Sequence, residues 1–307
     1  MSTSTGTESP EMQIGEMIHV FLGMVLQDRC PFCTDPDDPE SYTTYEGAKN
    51  SSKKLRTIMN DPSCLTAEQG GARPKDGTKG KQSIDDTNTS PNPIYRDDTT
   101  QYPGLSAPIG AYGNEAHHSI SGNECMKGEP IEDVIKNKNG EYEGETGYSI
   151  NNAANGVYLP SWSRARWGSG RPDGTWGDLS DGLKYDIMKA AMRSGAGQAH
   201  IGSHDGKTTA KHPQSYPNHV KTKLSEITDR IASMRLECPE AKDKDPWPVP
   251  YGVNQWLDDL SRGISAHLKG HPRSWKYFVS QYAADYHGEV CRHGTIGQLL
   301  PDNWPPL

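Results

Sequence analysis

The sequence is poor in hydrophobic residues and has no long apolar run. Hydrophobic residues make up 32% of its 307 positions, while glycine and proline number 32 and 23. We therefore expect a modest core with long irregular connections. The best apolar run, residues 17–26, is about half of the ~20 residues that a membrane-spanning helix needs, so we expect no transmembrane segment. Residues 1–10 are polar and carry no positive charge, which predicts that no cleaved secretory signal is present.

Positive charge is also scarce, because the net charge is −8. That balance is awkward for a protein that binds a polyanion, but it changes along the chain. Residues 1–160 carry 13 Lys and Arg against 24 Asp and Glu, whereas residues 161–235 carry 12 against 7. Phosphate groups would be attracted to the second stretch. An excess of this size is also typical of an ordinary solvated surface, so by itself it indicates no function.

Cysteine is too rare for a disulfide-dense scaffold, with six in the chain. Cys30 and Cys33 are separated by two residues, a spacing typical of zinc knuckles. A second pair with this spacing is missing, so other ligands would have to come from distant positions. The candidates are Cys64, Cys238, Cys291 and His293. A structural zinc site built on Cys30, Cys33 and Cys64 is one interpretation, and free thiols or a disulfide are the others.

Local patterns predict several helices and short strands. Apolar residues at spacings of three and four predict helices, and short apolar runs bounded by glycine or proline predict strands. The predicted helices cover residues 11–27, 53–59, 182–193 and 253–293, with another that begins at Pro217; the predicted strands cover residues 116–120 and 156–159.

Three short segments carry the residue types that metal-dependent phosphodiester hydrolysis needs. They are residues 115–118 (Glu-Ala-His-His), 151–160 (Asn-Asn-Ala-Ala-Asn-Gly-Val-Tyr-Leu-Pro) and 200–204 (His-Ile-Gly-Ser-His). Adjacent histidines can supply a metal ligand and a general base. Neighbouring residues of a strand point to opposite faces, however, so His117 and His118 can divide these jobs only if the strand is distorted there.

These segments together resemble the AHH group of HNH nucleases, which are toxin domains of bacterial polymorphic and type VI secretion systems. The resemblance covers about residues 111–235. It implies an α+β fold with a ββα-metal core, of the HNH or treble-clef-like type, among mainly helical and irregular segments. We accordingly predict a nuclease domain over residues 111–240. Residues 1–110 would serve docking, delivery or shielding, and residues 246–307 would form a C-terminal helical segment.

The resemblance also implies a role for each matching residue of the first two segments. His117 would be a metal ligand, and His118 would be the general base that activates water. Asn155 would hydrogen-bond near the base and hold its loop. Glu115 would orient a ligand or the scissile group.

The remaining ligands would come from the third segment. His200 and His204 would lie one helical turn apart and complete the coordination of one ion from a helix. Residues 205–214 separate this segment from Tyr216, which leaves His212 or His219 as an alternative third ligand. Imidazole ligands favour Zn²⁺ or Ni²⁺ over Mg²⁺.

The function that these expectations describe is a metal-dependent endonuclease that acts on DNA as a secreted antibacterial toxin. It would be delivered without a cleaved signal into the cytoplasm of a target cell, and it would be cytoplasmic in the producer. Its partners would be nucleic acid, a cognate immunity protein and a component of the secretion apparatus. A ribonuclease or tRNase acting through the same site is one alternative, and a non-enzymatic zinc-stabilised binding module is another.

Overall fold

The computed structural model describes residues 30–33, 50–59, 113–161, 179–193, 197–200 and 215–292. Within these ranges the chain forms six α-helices and one antiparallel pair of strands, which confirms the α+β class. The helices are α1 (Ser52–Met59), α2 (Pro130–Ile135), α3 (Asp181–Arg193), α4 (Tyr216–Glu237), α5 (Gly252–Lys269) and α6 (Gln281–Arg292); the strands are β1 (Gly113–His118) and β2 (Gly156–Ser161). No described helix is long and apolar enough to cross a membrane.

The two strands pair in a regular register that runs from Gly113 opposite Ser161 to His118 opposite Gly156. The predicted first strand was wrong at both ends, because β1 begins earlier and stops at His118. Just beyond this end the pairing gives way to a loop that is held by the side chain of Asn155, whose Oδ1 accepts from the backbone N–H of Ile120 at 2.7 Å. The histidine pair therefore lies at the very end of β1, beside a tightly bonded loop.

Helices α4 and α5 supply most of the core on one side of the sheet. Helix α4 begins after Ser215, whose hydroxyl accepts from the backbone N–H of Asn218, and Pro217 lies in its first turn, where the missing N–H costs nothing. The apolar stripes predicted on both helices are buried in one cluster with strand β2. The buried stripe residues are Val220, Leu224, Ile227 and Ile231 on α4, and Trp256, Leu260, Ile264 and Leu268 on α5.

The stretch predicted to be helical over residues 253–293 contains two helices, α5 and α6, with a non-helical connection between them that was not predicted. Helix α5 ends at Lys269, and Pro272 opens a short 3₁₀ turn instead of continuing the helix. Between the two helices, Trp275 and Phe278 enter a second core cluster that joins α3 to α6. The short helix predicted over residues 53–59 is confirmed as α1, and the one predicted over residues 11–27 lies outside the described residues.

Candidate active site

The two histidines at the end of β1 face opposite sides of the two-stranded sheet. Pairing is regular through His118, so the strand distortion that we expected is not found in the described register. Both rings are buried, with 2% of His117 and 4% of His118 exposed. His117 packs toward α4, whereas His118 lies on the same face as Ala116, which packs against Leu55 of α1. Each histidine therefore has its own surroundings.

On the α1 side, His118 is held by an asparagine. Its Nε2 lies 3.0 Å from Oδ1 of Asn151, and that same oxygen accepts from the backbone N–H of Ser51 at 2.9 Å. A backbone N–H can only donate, so the Asn151 atom is the carbonyl oxygen and His118 must donate to it through Nε2–H. A neutral His118 then carries its lone pair on Nδ1.

Asn155 holds the loop that follows the histidines. Its Oδ1 accepts from the backbone N–H of Ile120 at 2.7 Å and from the hydroxyl of Ser261 at 3.0 Å. Its amide nitrogen donates to the carbonyls of Ile120 at 2.9 Å and Ile150 at 2.8 Å. This fully buried side chain thus links the ends of both strands to α5, while the amide that contacts the His118 ring belongs to Asn151.

On the opposite face, His117 meets a second histidine and a tyrosine. The ring centroids of His117 and His200 are 4.7 Å apart, and those of His117 and Tyr216 are 5.9 Å apart. Tyr216 donates its hydroxyl proton to the carbonyl of Ser119. Burial raises the pKa of Tyr216 well above its ordinary value, so the group remains a proton donor. The imidazole rings of His117 and His200, which are far apart in sequence, are therefore close neighbours on this face.

His200 is not in a helix, so the predicted helical turn shared with His204 was wrong at this residue. It belongs to a described segment, residues 197–200, in which no residue is helical. The segment is fastened by Gln198, whose backbone N–H donates to the carbonyl of Leu268 at 2.9 Å. The Gln198 side chain donates to the carbonyl of Tyr277 at 3.1 Å and accepts from the N–H of Val279 at 3.0 Å. The end of α5 and the chain after it therefore position His200.

Other predicted site residues are only partly placed. Glu115 pairs with Leu159 in the sheet, but its side chain is outside what the structure describes. His204 and His212 also lie outside the described residues. His219, the other alternative ligand, stacks on Tyr277 with ring centroids 4.1 Å apart. Sequence reasoning missed Asn151, although it stands first in the asparagine-rich segment that we singled out.

Three cysteines form a further cluster of side chains that could bind a metal ion. The sulfurs of Cys30, Cys33 and Cys238 all lie within 4.8 Å of one another, and those of Cys33 and Cys238 are 3.4 Å apart. The hydrogen bond with Cys238, together with burial, raises the pKa of the Cys33 thiol to about 12. Burial would raise the pKa of Cys238, but hydrogen bonds from the other two thiols lower it. Cys64, the third predicted ligand, lies outside the described residues.

The histidine pair at the end of β1 lies in a stretch of the chain that is similar to a known protein family. No curated protein and no solved structure matched the chain. A family model did match, over residues 103–264, which is just over half of the 307 residues. The family is described as a nuclease family of the HNH/ENDO VII superfamily with a conserved AHH, and Ala116, His117 and His118 lie within the matched range. The chain belongs to the AHH nuclease family.

Proposed function

We propose that this nuclease is a metal-dependent endonuclease that cleaves DNA, with His118 as the general base. The observation that carries the proposal is the chain of hydrogen bonds from Ser51 through Asn151 to His118. It fixes the ring and its tautomer in the way that a triad carboxylate orients a catalytic histidine. Nδ1 would take the proton of the attacking water, and Nε2–H would remain bonded to Asn151.

The other face of the sheet suits a divalent ion. His117 and His200 would bind it, and neutral imidazoles fit Zn²⁺ or Ni²⁺ better than Mg²⁺. The bound ion would stabilise charge at phosphorus and on the leaving oxygen. A third protein ligand would come from His204 or His212, since the ring of His219 is stacked on Tyr277.

Access to the site requires movement of the chain around it. Both histidines are almost completely buried, so a phosphodiester reaches them only after part of their cover opens. The basic stretch 161–235 would attract the nucleic acid to this side of the protein before opening. Closure of the cover over the bound substrate would then exclude bulk water from the reacting groups, as closing loops do in other enzymes.

The biological role that we propose is a toxin delivered to a competing bacterium. It would enter the target cytoplasm through a secretion apparatus, and a cognate immunity protein would protect the producer. Expression of the wild-type chain in a bacterial cytoplasm should then arrest growth. His118→Ala should be tolerated at an equal protein level, and growth arrest by that variant would contradict the proposal.

The nuclease proposal is tested on supercoiled plasmid with added Zn²⁺, Ni²⁺ or Mg²⁺. We expect wild-type protein to nick the plasmid and His118→Ala to lower the rate about 10²- to 10⁴-fold, the usual contribution of a general base. Parallel digestion of RNA and tRNA tests the ribonuclease alternative on the same preparation. A folded wild-type protein that cuts no nucleic acid with any metal would instead favour a binding module.

A further inference from the structure

The three-thiol cluster is built from two elements that fix its sulfurs independently. Cys30 and Cys33 belong to a turn closed by the backbone N–H of Cys33, which donates to the carbonyl of Cys30 at 3.2 Å. Cys238 caps the C-terminus of α4, where its N–H donates to the carbonyl of Met234 at 2.8 Å. The two elements are separated by more than two hundred residues of chain, yet the sulfurs converge.

The turn is itself anchored to the core. Phe32 is buried in the same cluster as Cys238, and the carbonyl of Pro31 accepts from the N–H of Gly252 at 3.1 Å. The start of α5, the end of α4 and the turn therefore meet around the thiols. A structural metal can fasten separate elements at such a junction in addition to their packing.

Sulfur spacing agrees with a tetrahedral metal site. With Zn–S bonds of about 2.3 Å, tetrahedral geometry places sulfurs roughly 3.8 Å apart. The observed separations, 3.4 Å for one pair and no more than 4.8 Å for any pair, bracket that value. A disulfide would use two of the thiols, at about 2.05 Å, and leave the third unexplained. Soft thiolates prefer Zn²⁺ to Mg²⁺ or Ca²⁺.

We propose that Cys30, Cys33 and Cys238 bind one structural Zn²⁺ that fastens residues 30–33 to the junction of α4 and α5. The site is separate from the imidazole pair, and it does not depend on the proposed nuclease mechanism. Among the described residues the group contains no fourth histidine, cysteine or carboxylate, so the remaining position would be filled by water or by a residue outside them. Cys30 and Cys33 also lie outside the range that matches the nuclease family.

The test is a titration of reduced, metal-free full-length protein with Co²⁺. Cobalt bound to thiolates gives a sulfur-to-metal charge-transfer band in the near ultraviolet, whereas cobalt bound to imidazoles alone does not. We expect the band to saturate at one Co²⁺ per chain and to disappear when Zn²⁺ is added. Cys30→Ser, Cys33→Ser and Cys238→Ser should each abolish or strongly weaken it. Cys291→Ser, which removes an exposed cysteine elsewhere, should leave it unchanged.

A second measurement on wild-type protein covers variants that fail to fold. X-ray absorption at the zinc edge, on protein that carries one Zn²⁺ per chain, should show three or four sulfur ligands at about 2.3 Å from the ion. A sulfur count below three would overturn the proposal, as would a cobalt band that survives in folded Cys238→Ser. A Cys33–Cys238 disulfide found by peptide mapping of protein purified without oxidant would overturn it as well.

Discussion

The two faces of the β1–β2 sheet place consecutive histidines in different chemical surroundings. His117 faces His200 and Tyr216, where a second imidazole is near enough to share a ligand. His118 faces Asn151, which anchors the ring through one hydrogen bond. Regular strand alternation therefore gives the two histidines different surroundings without the distortion that we had expected. Under the proposed function, the metal ligand and the base would lie on different faces.

The faces also differ in which part of the chain covers them. Helix α4 lies entirely within the range that matches the nuclease family, and it covers the His117 face. Helix α1, which precedes that range by more than forty residues, covers the other face through Leu55. Ser51 and Asn50 reach the loop around the site, where the Asn50 side chain accepts from the N–H of Gly122 at 2.7 Å. The His118 face therefore depends on a segment outside the family match.

Detaching α1 from the sheet should have the largest effect on nuclease activity, because α1 covers the His118 face. Leu55 is fully buried against Ala116 and Tyr158, so Leu55→Asp would bury a carboxylate and detach the helix. We expect nuclease activity to fall about a hundredfold, because His118 would lose the support that comes through Ser51. Hydrogen exchange of residues 50–59 and plasmid cleavage would be measured together. Lys53→Ala, at an exposed position of the same helix, is the control; exposed amides in α1 with unchanged cleavage would contradict the prediction.

Replacing Asn151, the hydrogen-bond partner of His118, should lower kcat by a smaller factor. Asn151→Ala should lower kcat about ten- to a hundredfold, as for other residues that orient a site histidine. Asn152→Ala is a matched control, since that buried side chain bonds to Ser149 and Asn155 but not to the ring. A general loss of stability would affect the two variants alike.

Asn151→Asp sharpens the same test, because a carboxylate can still accept from both Ser51 and His118. Its negative charge favours the imidazolium form, in which Nδ1 can no longer take a proton. The acidic limb of the pH–rate profile should therefore move to higher pH, by about one unit. A limb that stays in place, with normal folding, would mean that His118 is not the base.

A substitution at Gly197 should weaken metal binding on the opposite face of the sheet, where His117 and His200 meet. Gly197 has φ of 98°, and a Cβ there would lie 2.9 Å from the carbonyl oxygen of Leu268. Gly197→Ala should displace His200 and lower the affinity of the His117–His200 site for Zn²⁺ about tenfold. Gly128→Ala is the matched control, because Gly128 also has positive φ but a Cβ there would meet nothing within 4 Å. Equal Zn²⁺ affinity in the two variants, measured by calorimetry, would contradict the role of this segment.

The smallest effect is expected for Tyr216→Phe. The change removes the hydrogen bond to the carbonyl of Ser119 but keeps the ring beside His117. We expect the free energy of unfolding to fall by about 1 kcal/mol and metal affinity to change little. Chemical denaturation measures the first quantity. The loss should be independent of pH below about 10 and should shrink above it, because the raised pKa keeps folded Tyr216 protonated while the unfolded tyrosine ionises.

Local patterns in the sequence were enough to predict much of the fold. Helix α4 was predicted from its apolar stripe and from Pro217, and α1 from one short run, because both depend on interactions within a few turns. The break between α5 and α6 was missed, although Pro272, which opens the 3₁₀ turn there, is a local signal for it. The end of β1 was missed as well, because a distant side chain, that of Asn155, holds the loop after it.

The site was predictable where the motif itself carries the chemistry. The rings of His117 and His200 lie together, and the hydrogen bonds of Gln198, not a helical repeat, position His200. Asn151 and Ser51 could not be identified, because their contact with His118 joins segments whose approach no local pattern specifies. Cys238 was one of several candidate partners for Cys30, and only the fold brings these thiols together.

The most direct test of this account is a crystal structure of the full chain with bound Zn²⁺, located by its anomalous scattering. The account predicts an ion about 2.0–2.1 Å from one ring nitrogen of His117 and one of His200, with His118 outside the coordination shell and still bonded to Asn151. An ion bound by His118, or the absence of any ion at His117 and His200 in crystals with excess Zn²⁺, would contradict the division of roles between the two faces; an ion at the cysteine cluster would not.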